Sequence, residues 1–262
     1  LMLCQLSYFR IFLFRKIISF VIFMQICLKT NYKLFLLREV ELSEFGKESH
    51  SQDRTSFCDS LNFNIIEIIM DFTKARDFIL NELRTGLRPK FHYHSIDRTL
   101  DVYDSAMCLA RLENLDALES DLLKTATILN DAGMMNTYKG HEETSAELAR
   151  LWLPRFGYTK QKTEWICEMI MASKTPHKTP TLSSKILCDA DLDYLGRDDF
   201  FMILHKLRIE WIQLNLINLN LKEWHHLQLE FLSTHQYFSN AARESRQKGK
   251  EENIWQISNL LS

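Results

Sequence analysis

From Met70 to the C-terminus, apolar residues recur at helical spacing in one stretch after another. No stretch alternates with period two for long enough to make a strand. Phe72, Ala75, Phe78, Ile79 and Leu83 form a first apolar stripe, stopped by Gly86 and Pro89. Ile96, Leu100, Tyr103, Ala106, Met107 and Ala110 form a second. Leu118, Leu122, Leu123, Ala126 and Leu129 form a third, with Gly133 expected as its C-cap. Helical patterns continue over 142–155, 160–173, 183–195, 198–214 and 221–245, with a short last helix over 250–261. Only 7 glycines and 4 prolines occur in 262 residues, too few for a loop-rich β protein. The expectation is an all-α helical bundle over 70–262.

Composition narrows the function classes. The chain is 46% hydrophobic and 25% charged, as in ordinary globular domains, and its length suits one domain with or without an extension. A net charge of −2 argues against a general binder of nucleic-acid duplexes, which carries a basic excess. None of the 6 cysteines forms a C-x-x-C pair, so they read as small buried hydrophobes in a reducing compartment.

Residues 1–69 differ from the rest. The first 38 carry no acid and 6 bases, and 21 of the first 28 are apolar. The longest uncharged run, Ile17–Leu28, has 12 residues and is too short to span a bilayer. Three readings stand open: a signal peptide or anchor, a membrane-surface helix, or a segment outside the native domain with Met70 as the working start. Residues 39–69, net −5, read as a linker. The location is cytoplasmic if the domain begins at Met70, and membrane association enters only if residues 1–28 are native.

The chemistry concentrates at helix ends. His94 and Arg98 stand one turn apart at the start of the second helix. Asn130-Asp131 follows the third apolar stripe, and His141, Glu142 and Glu143 open the next helix. Asp189, Asp191 and Asp193 crowd another. Carboxylates in such apolar contexts need a counter-charge or a cation, because an unpaired buried charge is costly. His205, His225 and His226 lie on a polar face and receive no role. Trp211, Trp224 and Trp255 read as packing, and Ser245–Glu252 as a solvated charge cluster.

The segments Phe-His-Tyr-His94-Ser-Ile-Asp-Arg98-Thr, Thr-Ile-Leu-Asn130-Asp131-Ala-Gly, Tyr-Lys-Gly-His141-Glu-Glu, Met-Ala-Ser-Lys174 and Leu-Cys-Asp189-Ala-Asp191-Leu-Asp193-Tyr-Leu-Gly carry a resemblance. In order, spacing and context, over roughly 70–245, the chain resembles the HD-domain metal-dependent phosphohydrolases. The resemblance implies an all-α HD-type bundle. It also implies a divalent metal (Mn, Fe, Zn, Ni, Co or Mg) that activates water against a phosphoester, often in a nucleotide. It makes Asp131 and Asp189 the metal ligands, with Asp191 a rival to Asp189. It makes His94 a general acid, puts His141 and Glu142 in the active-site helix, and lets Lys174 contact phosphate.

Two positions depart from the family pattern. Arg98 and Asn130 stand where the family has metal-binding histidines. A guanidinium has no lone pair to offer a metal, and an amide oxygen is a weak ligand for a transition metal. Arg98 is therefore expected to replace the metal electrostatically, its fork paired with Asp131 or Asp189. Two functions follow: a phosphohydrolase with a degenerate metal site, or an inactive HD-fold protein that binds a phosphorylated ligand or a protein partner. In the second, Arg98, Lys174 and His94 would form the anion site.

Overall fold

A computed structural model describes residues 70–262. The readings of residues 1–69 lie outside the described residues, as do Cys4, Cys27 and Cys58. The described chain is all-α. Its helices are α1 (Phe72–Gly86), α2 (Ile96–Leu112), α3 (Ala117–Leu129), α4 (His141–Trp152), α5 (Lys160–Ala172), α6 (Leu182–Asp191), α7 (Phe200–Gln213), α8 (Leu221–Thr234) and α9 (Asn240–Leu261). Short 3-10 turns follow α3, α4 and α6, and no strand occurs among the described residues.

Local chemistry starts most of these helices. Asp71, Ser95, Asp116, Thr159, Thr181, Asn220 and Ser239 each accept a hydrogen bond from the backbone N–H three residues on. Each satisfies one of the donors that a helix N-terminus leaves free. The apolar stripes then meet in two cores. Ile79, Leu83, Leu123, Leu129, Ile166, Ile170 and Leu187 fill the larger one under α1–α6. Tyr194, Leu195, Phe200, Leu204, Trp224, Leu232 and Ile257 fill the smaller one under α7–α9.

The structure redraws three boundaries. Gly133 does not cap α3, whose C-cap is Asn130. It lies in the turn Ala132–Met135, packed so tightly on α4 that a Cβ there would stand 2.0 Å from the His141 carbonyl oxygen. Only glycine lets this turn sit against the start of α4. The helix expected over 221–245 stops at Thr234, and its remainder joins the short helix expected over 250–261 to form α9. The chain extends after His235, and the freed N–H groups of Phe238 and Ser239 donate to the buried Asp189 carboxylate at 2.8 and 2.7 Å. The helix expected over 183–195 ends at Asp191, and the turn Asp193–Gly196 packs on α9. There Gly196 and Gly249 meet so closely that a Cβ on Gly249 would lie 2.2 Å from the Gly196 carbonyl oxygen.

The Ser245–Glu252 run is also more than solvated charge. Arg246 Nε donates to Asp193 Oδ1 at 2.6 Å, and buried Lys250 donates to the His235 carbonyl at 2.6 Å. Cys167 and Cys188 are buried free thiols, as small hydrophobes should be, whereas Cys108 is exposed. Among the described residues, no helix is long and apolar enough to cross a membrane.

Candidate functional site

A cavity of about 440 Å³ opens beside the smaller core, whose Tyr93, Tyr194, Leu207 and Trp211 form part of its lining. The ends of α3 and α6 bring Asn130, Asp131 and Asp191 to it. The segment before α2 brings Tyr93 and His94, and the start of α4 brings His141 and Glu142. Opposite them, α7 and α8 supply Leu207, Trp211, Leu227, Gln228 and Phe231. One end is polar and ionisable, and the other wall is apolar and aromatic. This division is common in small-molecule sites.

Arg98 and Asp191 define the polar end. Asp191 is the last residue of α6, where the helix dipole disfavours a carboxylate. Arg98 reaches it from α2: Nη2 lies 2.9 Å from Asp191 Oδ1 and also donates to the Asp191 carbonyl. The guanidinium is buried and packed between rings, 4.8 Å from the Tyr93 centroid and 5.4 Å from that of Tyr194. Its Nε and Nη1 find no hydrogen-bond partner among the described residues, so the ring faces supply their stabilisation. Burial lifts the Asp191 pKa, and Arg98 beside it pulls the other way. The partner of Arg98 is thus Asp191, not Asp131 or Asp189.

His94 is held by a residue that the sequence motifs do not mark. Glu210 of α7 is completely buried. One of its oxygens accepts from the backbone N–H of Tyr93 at 2.8 Å and of His94 at 3.0 Å. The other accepts from His94 Nδ1 and, at 3.2 Å, from the Tyr138 hydroxyl. Trp211 Nε1 donates in turn to that hydroxyl at 2.6 Å. Burial alone would raise the Glu210 pKa, but hydrogen bonds and charge from His94, with the two backbone donors, outweigh it and hold the carboxyl below its ordinary value. An ionised Glu210 fixes the proton of His94 on Nδ1 and leaves Nε2 as the ring's other nitrogen. Trp211 therefore does more than pack. The signal for Glu210 was its register: it follows Ile203 and Leu207 on the buried stripe of α7, where an acid needs a partner.

His141 stands between two carboxylates. Its Nδ1 lies 3.1 Å from the Tyr138 carbonyl, which can only accept, so that nitrogen carries a proton. Its Nε2 is 3.7 Å from Asp131 Oδ1, and its Nδ1 is 3.5 Å from Glu142 Oε2. The rings of His94 and His141 lie 6.1 Å apart. Asn130 is buried, and its Oδ1 accepts from Ser173 Oγ at 3.0 Å.

Asp189 and Lys174 do not join this group. Asp189 is buried away from the cavity, where it binds the 238–239 backbone and accepts from Ser239 Oγ at 2.6 Å. Burial raises its pKa, and those hydrogen bonds oppose the rise. Lys174 pairs with Glu143 on the surface, outside the cavity lining. The expected anion site of Arg98, Lys174 and His94 is not assembled: each of the three is bonded to a different carboxylate.

The donor set does not fit a divalent metal of the family kind. Arg98 offers no lone pair and occupies Asp191, while Asn130 is engaged by Ser173. Among the described residues, no group of three or more His, Cys, Asp or Glu side chains is placed to hold an ion.

Among the described residues, the fold and site define an all-α domain with a polar-ended cavity where helix termini converge. No known family model matches the chain, and no curated protein matches it. Among solved structures it is similar to a predicted HD superfamily hydrolase from an uncultured Thermotogales bacterium. The two share 22% identity over 71% of this chain and 90% of that one, with a TM-score of 0.49.

Proposed function

We propose that this chain is an HD-type helical domain that binds a small molecule in its central cavity without metal-assisted phosphoester hydrolysis. The observation that carries this reading is the Arg98–Asp191 pair. In the sequence resemblance, position 98 belongs to a metal histidine. Here a fixed cation neutralises the carboxylate that a metal would need. A dication beside Arg98 would meet repulsion of several kcal/mol, even at an effective dielectric near 20. The rest of the cavity keeps what binding requires: an apolar wall from α7 and α8, and oriented polar groups at the other end.

A second reading, residual hydrolysis, draws on the His94–Glu210 pair, since an imidazole oriented by a buried carboxylate is suited to proton transfer. One experiment separates the two. The full chain is purified without chelator, analysed for metals, and assayed with p-nitrophenyl phosphate and bis(p-nitrophenyl) phosphate in the presence of Mn²⁺. Substoichiometric metal and no nitrophenol release are expected. Stoichiometric metal with turnover would overturn the binding reading.

A further inference from the structure

We infer that the cavity selects a protonated amine carried on an aromatic or aliphatic body, and discriminates against phosphate. This inference rests on the binding reading above and specifies the ligand of that same site.

Carboxylates outnumber fixed positive charges at one end of the cavity. Three carboxylates line it: Asp131, Glu142 and Asp191. Arg98 neutralises only Asp191, from behind the lining. His94 is bonded to a fourth carboxylate, Glu210, and Lys174 is spent on Glu143 outside. Asp131 and Glu142 are therefore left to share His141, whose nitrogens stand 3.7 and 3.5 Å from them, longer than strong charge-assisted hydrogen bonds. With no guanidinium or ammonium on the lining, and His141 and His177 as its remaining imidazoles, the cavity holds more carboxylates than fixed positive charges. A phosphate there would meet Asp131 and Glu142 with no free guanidinium or ammonium to receive it, whereas an ammonium would complete both.

The opposite wall favours the same class. Trp211 and Phe231 present rings to the cavity, and Leu207 and Leu227 extend the apolar surface. Such a wall buries an organic body, and its ring faces attract a cation. A volume of about 440 Å³ accommodates a small organic molecule.

The test uses three probes on the full chain: tryptamine, indole-3-propionate and inorganic phosphate. The first two share the indole and differ in the sign of the terminal charge. Tryptamine is expected to raise Tm and to give a saturable calorimetric isotherm, with indole-3-propionate and phosphate giving neither. Asp131→Asn and Glu142→Gln, each first shown to unfold cooperatively, should weaken tryptamine about tenfold, the equivalent of about 1.4 kcal/mol. Glu142 is half-buried on the first turn of α4, a different element from Asp131, so its variant keeps the test open if Asp131→Asn fails to fold. Tighter binding of indole-3-propionate or phosphate, undiminished tryptamine binding by the folded variants, or no binding of any probe would each overturn the inference. Metal content and nitrophenol release judge the binding reading separately: phosphate bound by a metal-free, inactive chain would sink the amine and leave that reading intact.

Discussion

Arg98 Nη2 sits 2.9 Å from Asp191 Oδ1, joining the first turn of α2 to the last residue of α6 across 93 residues of chain. The pair supplies a positive charge where the sequence resemblance places a metal ion. Because it is fixed by two aromatic rings as well as by the carboxylate, it is part of the fold as much as of the site.

Breaking that pair on one side should be damaging. Arg98→Met leaves Asp191 uncompensated at the end of a helix, and should lower unfolding stability by about 3 kcal/mol in urea titration. Arg98→Met with Asp191→Leu removes both charges and should recover part of that loss. A double variant no more stable than Arg98→Met would show that ring packing, not charge pairing, is the larger contribution of Arg98.

Asp189 should behave as a structural residue. Its two oxygens accept three hydrogen bonds from Phe238 and Ser239. Asp189→Asn replaces one acceptor with a donor facing another donor, for a loss of about 2–3 kcal/mol. Tryptamine affinity, measured below the transition by calorimetry, should be unchanged, because Asp189 does not line the cavity.

Glu210 should stabilise the fold in a defined pH window. Its folded pKa lies below the ordinary 4.5, so its contribution is present above that value and is lost as pH falls through the lower, folded value. Glu210→Gln should cost about 2 kcal/mol at neutral pH. The gap between variant and wild type should narrow steadily in acid, read from urea midpoints between neutral pH and pH 3. A gap that stays constant would contradict an ionised Glu210.

His235 should make the chain acid-sensitive. Burial, with Lys250 and His177 nearby, pushes its pKa down from 6.5 to about 4. The neutral ring is favoured in the fold, so stability is complete above 6.5 and falls as pH drops toward 4. The loss attributable to this group is up to about 3 kcal/mol. His235→Phe keeps an apolar ring in the site and should flatten the stability profile across that window.

How much of this was legible in the sequence follows from what each feature depends on. Helical periodicity and the stop at Gly86 and Pro89 are local, and they fixed an all-α chain before any contact was known. The resemblance placed His94, Asp131, His141 and Glu142, and the four do line one cavity. Which of the clustered aspartates faces that cavity was not local information. Asp189 and Asp191 differ by two positions near the end of one helix, so they point to different sides. Only the break between α8 and α9, with its two free N–H groups, claimed Asp189 for the fold. Glu210 belongs to the same kind of fact: its register showed an acid on a buried stripe, and its meaning came from Tyr93 and His94, more than a hundred residues earlier. The sequence by itself determined the all-α class, the order of most helices and the residues rich in chemistry, because short-range backbone geometry sets these. The pairing of charges was decided only by tertiary structure, because burial makes every carboxylate seek whichever donor packing brings within about 3 Å.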